Sequence, residues 1–326
     1  MKIICKYNDL SNRQTEVIEQ TQVASHLKQE QTLLWIEMKL PSDGELDWLG
    51  QTFSLHPSTV KLIQSKGDYP AFNWQEAYYV FAGTAVRFEE QQVMHDPVYL
   101  IASQKYIITV EYHPVGVLEN VRKQWDSHQP LEHAALYYIF LILDSVVVSY
   151  FEAVRATRLQ IYELHNTLLE RGQTDVPQHL NRLLKHSNDL EHLMFNSMFS
   201  GFAFLHKEEG HSLYPITSSR IYFRQLNEHY KQTGELIQRN KDMLTILLHQ
   251  FQSRQADYLN TLVNRLTVVT IILSTAAVIT GFYGINVGGL YPNGNNANGA
   301  WFVLALLIVL AIIQYVLLRP LWRRKS

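Results

Sequence analysis

Residues 266–318 read LTVVTIILSTAAVITGFYGINVGGLYPNGNNANGAWFVLALLIVLAIIQYVLL, and nowhere in that run is there an Asp, Glu, Lys or Arg. Its first part, 266–284, is apolar apart from Thr, Ser, Gly and Tyr; its last, 301–318, is apolar apart from Gln314. Each approaches the roughly 20 residues a helix needs to cross about 30 Å of hydrocarbon. Between them, 285–300 is dense in Gly and Asn and contains Pro292, a turn-rich loop rather than more helix. A buried helical hairpin of a soluble protein is the alternative, but so long an uncharged run is foreign to soluble composition. The stretch reads as two membrane spans joined by a short loop.

Charge returns at both ends of this run. Arg265 precedes the first span, Arg319, Arg323, Arg324 and Lys325 follow the second, and the loop carries no basic residue. Basic residues stay on the cytosolic side, so a multi-pass protein of the cytoplasmic membrane is expected, with both termini in the cytosol and the loop outside. Tyr291 and Trp301 then fall at the outer interface and Trp322 at the inner one. All 30 acidic residues and all but four of the 28 basic ones precede the spans, leaving the soluble part mildly acidic. That excludes a nucleic-acid binder, which needs a basic footprint, and is compatible with handling cations. A single cysteine, Cys5, fits a reducing cytosol. The opening Met1-Lys2-Ile3-Ile4-Cys5-Lys6 lacks the apolar core of a signal peptide, so insertion is expected to rely on the C-terminal spans.

The two spans differ in character. The second is uniformly apolar except at Gln314 and suits lipid contact. The first carries a small or polar stripe: Asn260, Asn264, Thr267, Thr270, Ser274, Ala277, Gly281 and Gly284. Their spacing of three or four residues keeps them on one helix face, with Val268, Val269, Ile272, Leu273 and Ile279 opposite. Small and hydroxylated residues serve close helix packing in lipid. They also serve a water-filled path lined by several copies of one helix, and this stripe runs unbroken from the cytosolic side to the loop.

Ahead of the spans, residues 1–130 read as an α/β domain. Strands are expected at 2–7, 33–37, 77–88, 98–102 and 106–112, where β-branched and aromatic residues concentrate. Short helices are expected at 45–53 and 58–64, the second after the starter Pro57. Residues 131–265 form a helical stalk region, with helices to about 170, over 178–205 and from about 217. The last has no Pro and can run unbroken into the first span, a rod of roughly 100 Å that needs packing partners. The remaining divisions are the hairpin 266–318 and a basic tail, 319–326.

No catalytic constellation is visible: there is no Walker loop, GxGxxG, HExxH or CxxC, and an enzyme is not expected. The 14 histidines are scattered, and His186 and His192, six apart, lie on different faces of their helix. Surface histidines are a better reading there than a tetrahedral zinc site. His113, before Pro114, reads as a turn.

At Tyr283-Gly284-Ile285-Asn286 the sequence resembles the CorA superfamily of divalent-cation transporters. Before it, the 259–267 segment LNTLVNRLT looks like the family's entry into its first span; Tyr222-Phe223-Arg224-Gln225-Leu226-Asn227-Glu228-His229 resembles its YFRD-x-x-DH stretch. Leu143-Asp144-Ser145 with Ser149-Tyr150-Phe151-Glu152, Ile107-Ile108-Thr109-Val110, Trp35-Ile36-Glu37 and Leu55-His56-Pro57 match further family elements in the right order. The resemblance implies a funnel-shaped homopentamer: an α/β cytosolic domain, long stalk helices and a C-terminal two-helix transmembrane hairpin. Five first spans would line a pore at Asn260, Val263, Leu266, Thr270, Ser274, Ala277, Gly281 and Asn286. That set overlaps the stripe, which adds Thr267.

Two departures matter. The family's Gly-Met-Asn is Gly284-Ile285-Asn286 here, followed by Val287-Gly288-Gly289 and no acid in the loop. That looks like the zinc-associated ZntB branch. Gln225 stands where magnesium-gated members carry an Asp, so regulation by cytosolic magnesium is not expected; Glu228, one turn away, is a weak metal candidate. The expected cargo is a hydrated divalent cation, Zn²⁺ or Mg²⁺ (with Ni²⁺ or Co²⁺ possible cargoes), moving inward, with proton coupling an option. No cofactor is expected beyond the transported ion, and the partners are the bilayer and further copies of the chain. A magnesium channel of the Gly-Met-Asn kind, or a membrane-anchored scaffold or sensor that conducts nothing, are the alternatives.

Overall fold

Alternation of two apolar sets along the early strands lets one sheet bury both its faces, and the chain builds three layers on that basis. A computed structural model describes all residues except 1, 10–13, 30–31, 68–70, 76, 90–91, 114–115, 128–133, 170–175, 206–215, 285–296 and 324–326. The strands are Lys2–Asp9 (β1), Gln14–Ile18 (β2), Thr32–Lys39 (β3), Ala71–Gln75 (β4), Tyr78–Glu89 (β5), Gln92–Ala102 (β6) and Tyr106–Glu111 (β7). They form one seven-stranded sheet in the order β2-β1-β3-β7-β6-β5-β4, antiparallel except for the β3–β7 pair. The helices are Val23–His26 (α1), Asp43–Thr52 (α2), Pro57–Gln64 (α3), Glu119–Asp126 (α4), Ala134–Leu169 (α5), Val176–Leu205 (α6), Ile216–Gly284 (α7) and Ala297–Arg323 (α8). The chain divides into two compact units, Met1–Thr245 and Ile246–Ser326.

In the first unit, Leu34, Ile36 and Met38 of β3 face a core shared with Leu46 and Leu49 of α2 and Ile63 of α3. Leu33 and Trp35 point the other way, toward Trp125 of α4, Tyr138 and Tyr150 of α5, Met194 of α6, and Leu226 and Ile237 of α7. Helix α5 is long and apolar enough to cross a membrane, yet most of its apolar stretch is buried, which makes it the core helix of this unit. Its burial follows from its neighbours, β5 and α6.

The family-like motifs hold this unit together by satisfying its polar groups. Beyond Ala82, β5 outruns β4 and would leave buried backbone groups bare on that side. Helices α5 and α6 supply the partners. Thr84 N–H donates to Ser197 Oγ (2.9 Å), Val86 N–H to Ser149 Oγ (3.1 Å), and the Tyr150 hydroxyl donates to the Thr84 carbonyl (2.7 Å). Trp35 Nε1 donates to Thr109 Oγ1 (3.1 Å), and its ring meets Trp125. His56 caps α3, accepting from Ser58 N–H through Nδ1, with Pro57 in the first turn. His113 sits in the bend after β7, its N–H donating to Asp96 Oδ1 (2.7 Å).

Four elements lie outside the expectations from sequence: β2, α1, β4 and α4. The expected strand 98–102 also begins earlier, at Gln92, and accommodates Pro97 because β7 pairs with β6 only from Val98 onward. The expected helix over 301–318 begins earlier, at Ala297 inside the stretch expected as loop, and continues through Pro320 to Arg323.

Alternation also puts Glu37 and Glu111, neighbours on the parallel pair, on the α4 face, where both are buried. The Arg122 guanidinium closes on Glu37 through Nε (2.8 Å to Oε2) and Nη2. Glu111 gets only a 3.8 Å approach from the same group, and neither of its oxygens accepts a hydrogen bond. Burial, then repulsion by Glu37 and Asp96, pushes its carboxyl up to about 7 against the pull of Lys39 and Arg122. A raised folded-state value means the folded chain holds this proton where the unfolded one has lost it. Stability is full below about 4.5 and falls as pH rises through about 7. Glu111 should therefore contribute ~1–2 kcal/mol less stability at pH 8 than at pH 6 in thermal unfolding of the detergent-solubilised chain, and Glu111→Gln should remove that part of the pH dependence. Independently, Ser149→Ala strands the buried Val86 N–H and should lower stability by about 1–3 kcal/mol in the same assay.

Candidate transmembrane path

The second unit is the part of α7 from Ile246 onward together with α8. Helix α7 is continuous from Ile216 to Gly284, and its last turns are as free of charge as the sequence requires. Within the span it buries one narrow face. Val268 is buried, and Thr261, Asn264, Ile272, Thr275, Ala276, Ile279 and Tyr283 are half-buried. On α8 the matching half-buried positions are Val303, Leu306, Leu307, Leu310, Ala311 and Gln314, a three-and-four spacing. Gln314 Nε2 donates to Thr275 Oγ1 (2.6 Å), which seats α8 on the covered face of α7.

The residues read from sequence as pore-lining lie on the opposite side. Asn260, Val263, Leu266, Thr267, Thr270, Ser274, Ala277, Gly281 and Gly284 are all exposed in the single chain. Asn264 departs from the rest and is half-buried. The apolar face proposed opposite the stripe is narrower than expected: Val268, Ile272 and Ile279 are covered, but Val269 and Leu273 are exposed. The remaining large exposed apolar groups, among them Leu273, Val278 and Phe282 on α7 and Ile308, Ile312 and Leu317 on α8, form a surface that water would not tolerate over such a length. Ile285 and Asn286 lie outside the described residues, as do the loop positions Tyr291 and Pro292. Gly284, the last residue of α7, is the one member of the Gly284-Ile285-Asn286 motif that is described.

Hydroxyl geometry gives the stripe a definite polarity. Thr267 donates to the Val263 carbonyl and Thr270 to the Leu266 carbonyl, each at 2.8 Å. With the proton committed to the helix's own backbone, what an exposed Thr offers outward is an oxygen lone pair. At 267 and 270 the stripe therefore presents acceptors, to which the outward-pointing protons of a hydrated cation are complementary.

In the first unit, Gln225 and Glu228 are exposed on α7, and His229 reaches across to α5, Nδ1 lying 2.6 Å from Asp144 Oδ1. This contact joins two of the motifs quoted above, and sequence alone gave no sign of it. Asp144 borders a cavity of about 540 Å³ with Glu119, Asn120, Ser149 and Glu152. Among the described residues no group of three or more His, Cys, Asp or Glu side chains could hold a metal. Of the two histidines weighed as a metal pair, His192 is exposed. His186 stands edge-on to Phe88, and burial, then Arg182, holds its imidazole below the usual range. His249 and Asp257 are exposed.

A model of the family described as CorA-like Mg²⁺ transporter protein matches residues 30–323. Among curated relatives, the cobalt/magnesium transport protein CorA of Methanocaldococcus jannaschii is 24% identical over 299 residues, covering 89% of this chain and 91% of its own. Among solved structures, the complete CorA magnesium transporter of the same organism superposes with a TM-score of 0.82 at 20% identity. That match covers 100% of this chain and 98% of its own. The cytoplasmic domain of ZntB from Vibrio parahaemolyticus superposes with a TM-score of 0.58 at 11% identity, over 79% of this chain and all of its own. At these identities the two structural likenesses speak to the fold.

Proposed function

The chain belongs to the CorA-like Mg²⁺ transporter family, and from that premise we propose that it moves hydrated divalent cations inward through a path lined by the exposed face of α7. The observation that supports this reading is the separation of faces: α8 covers the Val268–Thr275 side, and the acceptor-bearing stripe is left bare. A bare polar stripe in lipid is costly unless other copies of the same helix, or water, meet it. A homopentamer meets that need, with Asn260, Val263, Leu266, Thr267, Thr270, Ser274, Ala277 and Gly281 around the axis and Asn286 closing the outer end. The basic residues at 265 and 319–325 argue for both termini in the cytosol. Residues 1–130 and 131–265 then form the cytosolic domain and stalk, 266–318 the hairpin, and 319–326 the cytosolic tail.

A ring of Asn286 amides offers neutral oxygens. Mg²⁺ gives up water reluctantly, and Zn²⁺ prefers the His and Cys that 266–326 lacks, so a hydrated ion is the consistent cargo for either metal. The Gly284-Ile285-Asn286-Val287-Gly288-Gly289 run favours the ZntB-like, zinc-carrying reading over a magnesium channel. Gln225 in place of a carboxylate argues against gating by cytosolic magnesium. A divalent ion entering down ~100 mV gains about 4.6 kcal/mol, so ATP is not needed. For proton coupling, the spans themselves hold no ionisable side chain but Tyr, and His249 and Asp257 are the nearest candidates.

Uptake of Zn²⁺, Mg²⁺, Ni²⁺ and Co²⁺ into proteoliposomes, with and without a pH gradient, tests this. Wild type should take up divalent ions, and Asn286→Ala should lose at least ten-fold of that rate, on the order expected when one ring of ligands is removed. A wild type that moves none of the four ions leaves the scaffold reading standing; gradient-independent uptake preferring Mg²⁺ over Zn²⁺ replaces the ZntB-like assignment with the Gly-Met-Asn kind of channel.

A further inference from the structure

Gln314 is the one carboxamide in the second span, and the transport reading above uses it only to locate α8. A carboxamide in lipid needs a partner, and it has one: Nε2 lies 2.6 Å from Thr275 Oγ1, near the middle of the first span. Thr275 in turn donates to the Ile271 carbonyl (2.8 Å), so its proton is committed and its oxygen is free to accept. Donor and acceptor are thus fully assigned along the chain Gln314 Nε2–H to Thr275 Oγ1–H to Ile271 O. Around Thr275 the covered positions Val268, Ile272 and Ile279 on α7, and Val303, Leu306 and Leu310 on α8, are aliphatic. Aliphatic contact is non-directional and allows a helix to turn or slide; a hydrogen bond does not.

Thr275 adjoins Ser274, a stripe residue, and successive residues stand about 100° apart around a helix. Whatever fixes the bearing of Thr275 therefore fixes that of Ser274, and through the rigid backbone those of Thr270 and Thr267. We propose that Gln314 is a positioning residue for conduction: by holding Thr275 it sets the rotation of α7, and so decides which side chains face the path. This rests on the transport reading for its consequence, but the geometric tie stands on α7 and α8 alone.

Interhelical hydrogen bonds in membranes shift a two-state balance by roughly three- to fifteen-fold. Two measurements in proteoliposomes of the full chain separate the possibilities. The first is divalent-cation uptake by wild type, Gln314→Leu, Thr275→Val, the double variant and Thr275→Ser. The second, in a Cys5→Ala background, is the rate at which Ser274→Cys reacts with a water-soluble methanethiosulfonate reagent, with and without Gln314→Leu. Maximal uptake should fall roughly three- to fifteen-fold in each single variant with the half-saturating cation concentration unchanged. The double variant should be no worse than the poorer single, and Thr275→Ser, which keeps the accepting oxygen, should retain the wild-type rate. Labelling of Ser274→Cys should fall by a similar factor when Gln314 is replaced. The proposal is overturned if either readout stays within two-fold of its parent, if the two substitutions multiply as independent defects, or if Ser274→Cys never labels. Labelling that depends on Gln314 in a chain that transports nothing would uphold the tie and overturn the transport reading.

Discussion

Inside a bilayer there is no water to answer a stray polar group, and the second unit is organised around that constraint. Every Thr hydroxyl on the first span donates to a carbonyl three or four residues back along its own helix. The one carboxamide of the second span lands on one of those hydroxyls. What cannot be answered within a single hairpin is the acceptor face of α7, because α8 lies on the other side. Water or further copies of the same helix would answer those lone pairs, which is why the bare face supports the assembly proposed above.

The first unit obeys the corresponding rule for a protein interior, that buried backbone groups find partners. Strand β5 outruns β4, and Ser149, Tyr150 and Ser197 serve as surrogate neighbours for Thr84 and Val86. The motif residues there are thus accounted for by hydrogen-bond satisfaction and not by chemistry on a substrate. Glu37 is similar: it is neutralised by Arg122 of α4, and the geometry that favours Glu37 leaves Glu111 buried with a carboxyl that prefers to stay protonated near neutral pH. A buried polar cluster of this sort pins α4 to the sheet at some expense of stability.

Sequence carried most of the architecture because the strong signals are local. The strands around Trp35, Val80 and Ile108 are dense in β-branched and aromatic residues, and the last long helix shows as a run without Pro. The misses are elements whose stability comes from elsewhere. Strand β2, Gln-Thr-Glu-Val-Ile, is a polar edge strand; β4, Ala-Phe-Asn-Trp-Gln, is short and exists by pairing with β5. Helix α4 is polar almost throughout and is held by two buried side chains, Val121 and Trp125, one turn apart. On α7 the stripe was legible because a 3.6-residue period is a property of one segment alone. Which apolar residues face α8 was not, since Val269 and Leu273 differ from Val268 and Ile272 only in angle, and the angle depends on where Gln314 finds Thr275.

On the transport reading proposed above, the chemistry of that face narrows what could pass along it. Its described polar groups are amides and hydroxyls, and the hydroxyls at 267 and 270 turn lone pairs outward. Such oxygens accept from water more readily than they replace it, because each carries only part of a charge where a carboxylate would carry all of it. In the assembly proposed above, a bare divalent ion would lose far more hydration than a ring of neutral oxygens returns, whereas an ion keeping its inner shell would present water protons to those acceptors. Discrimination among divalent ions must then rest on the size and hydrogen-bonding of the hydrated species, and it depends on the radius of the path. Under the same proposal that radius would follow from the rotation of α7 and from small residues such as Ala277 and Gly281 on its exposed face.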